Sequence, residues 1–168
     1  SPLGIPAINP LFKRLSSNCE LYSIGNPACT TAVEFEDGKI LFGEVEALDK
    51  VDWEFMKETL GLEKIKSFFE KSNLIGLVNW SCMINFNNIF EGILSEVLHT
   101  NESNKSQIVF FDLADFSKRD RQDVCKAAQL ISEFNRHYKV VLGLNQNEAI
   151  LMFKALLDED VPTDLLDL

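Results

Sequence analysis

Three polar clusters in this chain have the residue types and spacing to hold a small anion or a substrate hydroxyl. Asn145-Gln-Asn-Glu148 sets a carboxamide and a carboxylate three residues apart, on one side of any helix that starts there. Asp112-Leu-Ala-Asp115-Phe-Ser-Lys-Arg119 gathers two carboxylates, a hydroxyl and two cations. Asn79-Trp80-Ser81 offers a carboxamide and a hydroxyl beside an aromatic ring. Each cluster follows a short apolar run: 74–78 before Asn79, 108–111 before Asp112, and 140–144 before Asn145. Open α/β sheets build ligand crevices in this way, outside the carboxyl ends of their strands.

Each cluster also has a structural reading. Asn145 with Glu148 is a capping box, with Asn in the place usual for Ser or Thr. A cap of this kind contributes about 0.5–2 kcal/mol with no ligand present. Asp115 or Ser117 reads equally as the cap of the helix that follows, and Trp80 as a plug for the end of the core. The functional reading uses the same positions. A helix N-terminus behind a parallel strand attracts phosphate, and Glu148 can hold magnesium through water.

The elements that must position these clusters follow from periodicity. From residue 74 onward the order is β-α-β-α-β-α: strands at 74–78, 107–113 and 139–145 alternate with helices at 86–98, 119–137 and 149–157. Phe86, Ile89, Phe90, Ile93, Leu94, Val97 and Leu98 form an unbroken apolar stripe at helical spacing. Val124, Ala127, Ile131, Phe134 and Tyr138 form the inner face of the next helix. Strands that are apolar without alternation predict a parallel sheet covered on both faces.

Before residue 74, helices are expected at 52–60, capped by Asp49 or Asp52, and at 62–71 beyond the break at Gly61. A helix is also expected at 8–15 and a strand at 20–24. Strands at 32–35 and 39–42 flank Glu36-Asp37-Gly38 and predict a half-exposed hairpin with a type I′ turn, because Asp-Gly accepts positive φ. The acidic tail 158–168 reads as peripheral.

The 168 residues suffice for one domain with a real core. A net charge of −10 argues against nucleic acid or an anionic membrane surface as partner. No apolar run approaches the ~18 residues of a membrane span. Cys19, Cys29, Cys82 and Cys125 form no CxxC pair and no signal peptide is visible, so free thiols in a cytoplasmic protein are expected. His99 and His137 read as helix C-terminal cations, not metal ligands. The sequence has no P-loop, no GxGxxG, no GxSxG and no HExxH. It begins Ser1-Pro2 and its first methionine is Met56, so a processed chain or a piece of a longer one is expected.

These segments resemble the ribokinase-like carbohydrate kinases of the phosphofructokinase-B type. Leu142 to Ala149, LGLNQNEA, is similar to that family's NxxE motif at a strand end. Asp112 to Arg119, DLADFSKR, resembles its Asp-rich strand exit, with Phe116 where Pro is common. Leu21 to Lys39 resembles the approach to the family's β lid, and Ile75 to Met83 the strand after it. The glycine-rich first part of the family is missing, and so is the GAGD motif that supplies its anion hole and aspartate base.

The resemblance implies a three-layer ribokinase-like α/β core with a small β-hairpin lid element. Residues 1–50 would carry the lid and 51–168 the core, as part of one domain of a longer kinase. It implies an ATP-dependent phosphotransferase acting on a sugar or nucleoside hydroxyl, with Mg2+. Asn145, Glu148, Asp112 and Asp115 would serve ATP, with Glu148 at the metal, and Asn79 the substrate. No catalytic base is assigned, the 168 residues alone are expected to be inactive, and a homodimer through the lid is in prospect. The rival expectation is a non-catalytic binding or interaction module that keeps the kinase-like core.

Overall fold

The structure is a computed structural model, and it describes residues 18–98 and 106–157. The helix expected at 8–15, His99 and the acidic tail lie outside the described residues. Two antiparallel strands, β1 (Cys29–Phe35) and β2 (Gly38–Glu44), form a ribbon whose residues are all exposed. Helices α1 (Trp53–Leu60) and α2 (Leu62–Lys71) follow, then β3 (Leu74–Val78) and α3 (Phe86–Gly92), which runs into a π-helical turn, Ile93–Val97. Next come β4 (Ile108–Asp112), α4 (Arg121–Phe134), β5 (Lys139–Gly143) and α5 (Gln146–Leu157).

Strands β3, β4 and β5 lie side by side in sequence order, all parallel, as the β-α-β-α-β-α reading requires. Asp52 is the cap of α1, with its carboxylate accepting from the Phe55 N–H at 2.8 Å. Gly61, at φ 82°, breaks α1 from α2 with a backbone that a side chain would strain. The buried Gln107 amide donates to the Phe69 and Ser72 carbonyls at 3.0 and 2.6 Å, tying the end of α2 to the start of β4.

One core lies between the helices and one sheet face. Val109 and Phe111 of β4 are fully buried, and Ile75, Leu77, Val140 and Leu142 of the flanking strands point the same way. Phe90, Phe111 and Phe134 meet edge-on with ring centroids 5.2–5.8 Å apart, joining α3, β4 and α4.

Several expectations are corrected. Among the described residues, helices cover one face of the sheet only. Leu74, Val78 and Val141 on the other face are exposed and Ile108 and Phe110 half-buried, so a second helical layer is not built from these residues. Residues 20–24 are not a strand: the Tyr22 ring packs at a tilt on Phe68, centroids 5.3 Å apart, with the Lys64 ammonium over it, docking the segment to α2 by side chains. The hairpin is present but its turn is not type I′. Gly38 pairs with Phe35 as a strand residue, leaving Glu36 and Asp37 to turn, and neither has positive φ. The helix expected over 86–98 widens at Ile93–Val97, where the Leu98 N–H reaches the Ile93 carbonyl at 3.0 Å.

Candidate functional site

The registers Val78–Asp112 and Asp112–Gly143 bring the exits of β3, β4 and β5 to one edge. Asn79 leaves β3 in the left-handed region (φ 63°, ψ 34°), a conformation that Asn tolerates. Its N–H donates to the Asp112 carbonyl at 2.9 Å, and the Ser81 N–H to the Leu113 carbonyl at 3.0 Å, so the first two exits are stitched together. Ala114, beyond β4, is also left-handed at φ 56°. Such a backbone costs a non-glycine residue about 1–3 kcal/mol. The Asp112 carboxylate steadies it by accepting from the Ala114 N–H at 2.9 Å.

Asp115 begins the next turn, Phe116–Lys118, and accepts from the Ser117 N–H at 3.1 Å. Hydrogen bonds from Ser117, helped by the Lys118 charge, hold its carboxyl below the usual aspartate range. It does not cap the long helix. Asp120 does, accepting from the Asp123 N–H at 2.8 Å. That helix starts at Arg121 because Asp120 ends the preceding turn in an extended conformation.

At the third exit the capping box is made in full. The Asn145 N–H and side-chain amide donate to Glu148 Oε2 and Oε1 at 3.0 and 2.7 Å, and the Glu148 N–H donates to Asn145 Oδ1 at 2.9 Å. Both residues stand at the edge where β5 leaves the sheet. Each carboxylate oxygen keeps a further lone pair beyond its bond from Asn145. Among the described residues no three His, Cys, Asp or Glu side chains group closely enough to hold a metal ion between them. Magnesium asks for less, since it keeps most of its waters and takes one or two carboxylates together with substrate phosphates. Glu148 fits that demand.

Arg119, read in the sequence as one of two cations for phosphate, has another occupation. Its side chain is 6% exposed and ion-paired with Asp123 at 2.9 Å. Nη1 donates to the Met83 carbonyl at 2.9 Å and Nη2 to that of Ile84 at 3.0 Å, while the guanidinium stacks over the Trp80 ring at 4.3 Å. The circuit closes through Asn87, which accepts from the Trp80 indole N–H at 2.8 Å and donates to the Asp123 carbonyl at 3.1 Å. Sequence reasoning missed Asn87. The signal available was that a buried indole N–H needs an acceptor.

Cys29, Cys82 and Cys125 are free thiols, and the Cys125 Sγ lies 3.1 Å from the Ala155 carbonyl. No helix among the described residues is long and apolar enough to cross a membrane.

The chain as a whole resembles known proteins. A ketohexokinase from Haloferax volcanii is 28% identical over 146 residues, which is 87% of this chain and 38% of that protein. The chain thus spans under half the length of this relative. No solved structure is significantly similar. The model of the prokaryotic ketohexokinase family matches residues 2–164, and the chain belongs to that family.

Proposed function

We propose that the whole protein is an ATP-dependent sugar kinase that phosphorylates a ketohexose hydroxyl. The observation that carries the reading is the convergence of Asn79, Asp112 and the Asn145–Glu148 pair on one sheet edge, in a chain of the ketohexokinase family. That family's name favours the sugar over the nucleoside among the acceptors the residues allow. Phosphoryl transfer depends mainly on positioning and on electrostatic stabilisation of the moving charge. In this reading Asn79 bonds a sugar hydroxyl, and Asp112 and Asp115 border the nucleotide phosphates. Asn145 and Glu148 hold the waters of magnesium, which when bound would neutralise phosphate charge. None of these residues is the base that takes the hydroxyl proton. That role is expected of a GAGD-like segment, absent from these 168 residues.

The same reading makes residues 1–50 a lid-bearing segment and 51–168 part of a three-layer ribokinase-like domain, cytoplasmic in location. The bare sheet face favours a second helical layer supplied by the rest of the protein. The ribbon's exposed apolar side, Val33, Phe35, Ile40 and Phe42, favours a homodimer through the lid.

The test is turnover by the full-length protein with MgATP against ketohexoses, aldohexoses and nucleosides. Ketohexose-dependent ADP release supports the reading. ADP release with nucleosides alone would shift the substrate class. No turnover with any acceptor replaces catalysis with the binding-module reading.

A further inference from the structure

We propose that Arg119 is a positioning residue for the sugar side of this site, holding the loop after β3 where Asn79 can meet its substrate. The proposal rests on the kinase reading above and deepens it.

Burying a guanidinium is costly unless every donor is matched. Here the matches come mostly from one loop. The carbonyls of Trp80, Met83 and Ile84 all receive Arg119, at 3.4, 2.9 and 3.0 Å, while Asp123 holds its other side at 2.9–3.0 Å. The loop that these carbonyls belong to opens at Asn79, whose own carbonyl accepts from the Cys82 N–H at 3.1 Å. Arg119 itself belongs to the exit of β4, where Asp112 stands. It therefore joins the two exits a second time, in addition to the Asn79–Asp112 backbone bond. Asn79 is held by its backbone bond to the β4 exit, and the loop that follows it is held by a buried cation. A helix-end ion pair with Asp123 alone would leave the guanidinium at the surface, and the three carbonyls explain why it is drawn inward. The Asn145–Glu148 pair bonds within itself and shares no hydrogen bond with this circuit. The Asn145–Glu148 side of the nucleotide site is thus separate from Arg119, while Asp112 and Asp115 share its strand exit.

Arg119→Lys in the full-length protein is the test. Lysine keeps the charge but lacks the planar fork that reaches several carbonyls at once. The expected result is a ketohexose KM raised about tenfold, with the ATP KM within about twofold of wild type. A purely structural role predicts instead a smaller active fraction, seen as lower kcat with both KM values unchanged. That result, or an equal rise in both KM values, overturns the proposal. Should Arg119→Lys fail to fold, Asp123→Asn loosens the same guanidinium without touching the loop, and the same split in KM values is expected of it. Its absence there overturns the proposal equally. A wild-type protein with no ketohexose-dependent turnover removes the kinase reading itself, and this inference with it. An active wild type with an unsplit variant removes this inference alone.

Discussion

The indole of Trp53 packs so closely on Gly92 that a Cβ there would overlap its Cγ, Cδ1 and Cδ2 atoms. Gly92 has ordinary helical backbone angles (φ −61°, ψ −44°), and the glycine is required by packing, not by conformation. Alanine there would gain about 1 kcal/mol of helix propensity. Overpacking against a rigid, buried ring typically costs about 1–3 kcal/mol, and more where the ring cannot retreat. Trp53 cannot retreat easily, because its backbone N–H donates to Asn88 at 2.9 Å and its indole N–H to Glu96 at 2.7 Å. Gly92→Ala is expected to destabilise the protein by roughly 2 kcal/mol in urea titration, and a second substitution, Trp53→Ala, to make the alanine tolerable again.

Glu96 makes the same junction sensitive to acid. Hydrogen bonds from Lys57 first, and then from the Trp53 indole, hold its carboxyl below the usual glutamate range. A folded value below the unfolded one contributes stability at neutral pH that is lost as pH falls through the folded value. Glu96→Gln is expected to flatten that part of the acid slope. Asp115 and Glu20 are displaced in the same direction, so the readout is the difference between wild type and variant in urea midpoint across the acid range. Identical slopes would show that Glu96 carries none of it.

Glu148→Gln separates cap from ligand. Glutamine serves in a capping box nearly as well as glutamate, so the thermal midpoint should move little. Magnesium-dependent ATP turnover of the full-length protein should fall by about 10- to 100-fold if Glu148 holds the waters of the ion. Unchanged turnover would leave the capping role as its whole function.

How much of this was legible from the sequence varied with the distance over which each cause acts. The three strands, Gly61 as a break and the stripe from Phe86 to Leu98 rest on local periodicity, and all were readable. The widening at Ile93–Val97 was not, nor was the packing of Trp53 on Gly92, because that ring comes from another helix. The Lys118-Arg119 pair looked like an anion cluster because the carbonyls that claim Arg119 belong to a loop far earlier in the chain. The hairpin was readable, but its turn type hangs on a register one residue different from the one that Asp-Gly suggests. The bare sheet face was misread because unbroken apolar strands give the same pattern whether the second cover is present or belongs elsewhere.

That face yields its own prediction. Val141 is 40% exposed here, beside the half-buried Phe110. In the full-length protein, Val141→Lys is expected to cost roughly 3 kcal/mol by placing a charge under the second layer. In residues 1–168 expressed alone, the same substitution should cost almost nothing and reduce aggregation, measured by light scattering. Equal small effects in both would mean that nothing covers the face.

The ribbon can be tested separately. Ile40 and Phe42 are about half exposed and bury nothing in the core. On the proposal that the ribbon joins two copies, Phe42→Asp is expected to give a monomer in sedimentation where the wild-type full-length protein gives a dimer; a wild type that sediments as a monomer overturns that proposal.

Spatial order and sequence order coincide in the sheet, β3 beside β4 beside β5. As the chain leaves the ribosome, β4 and then β5 therefore each meet a neighbour that is already made, with no gap between these three strands. Assembly by successive addition spans one crossover at a time, which is the shortest closure that parallel pairing of these strands allows.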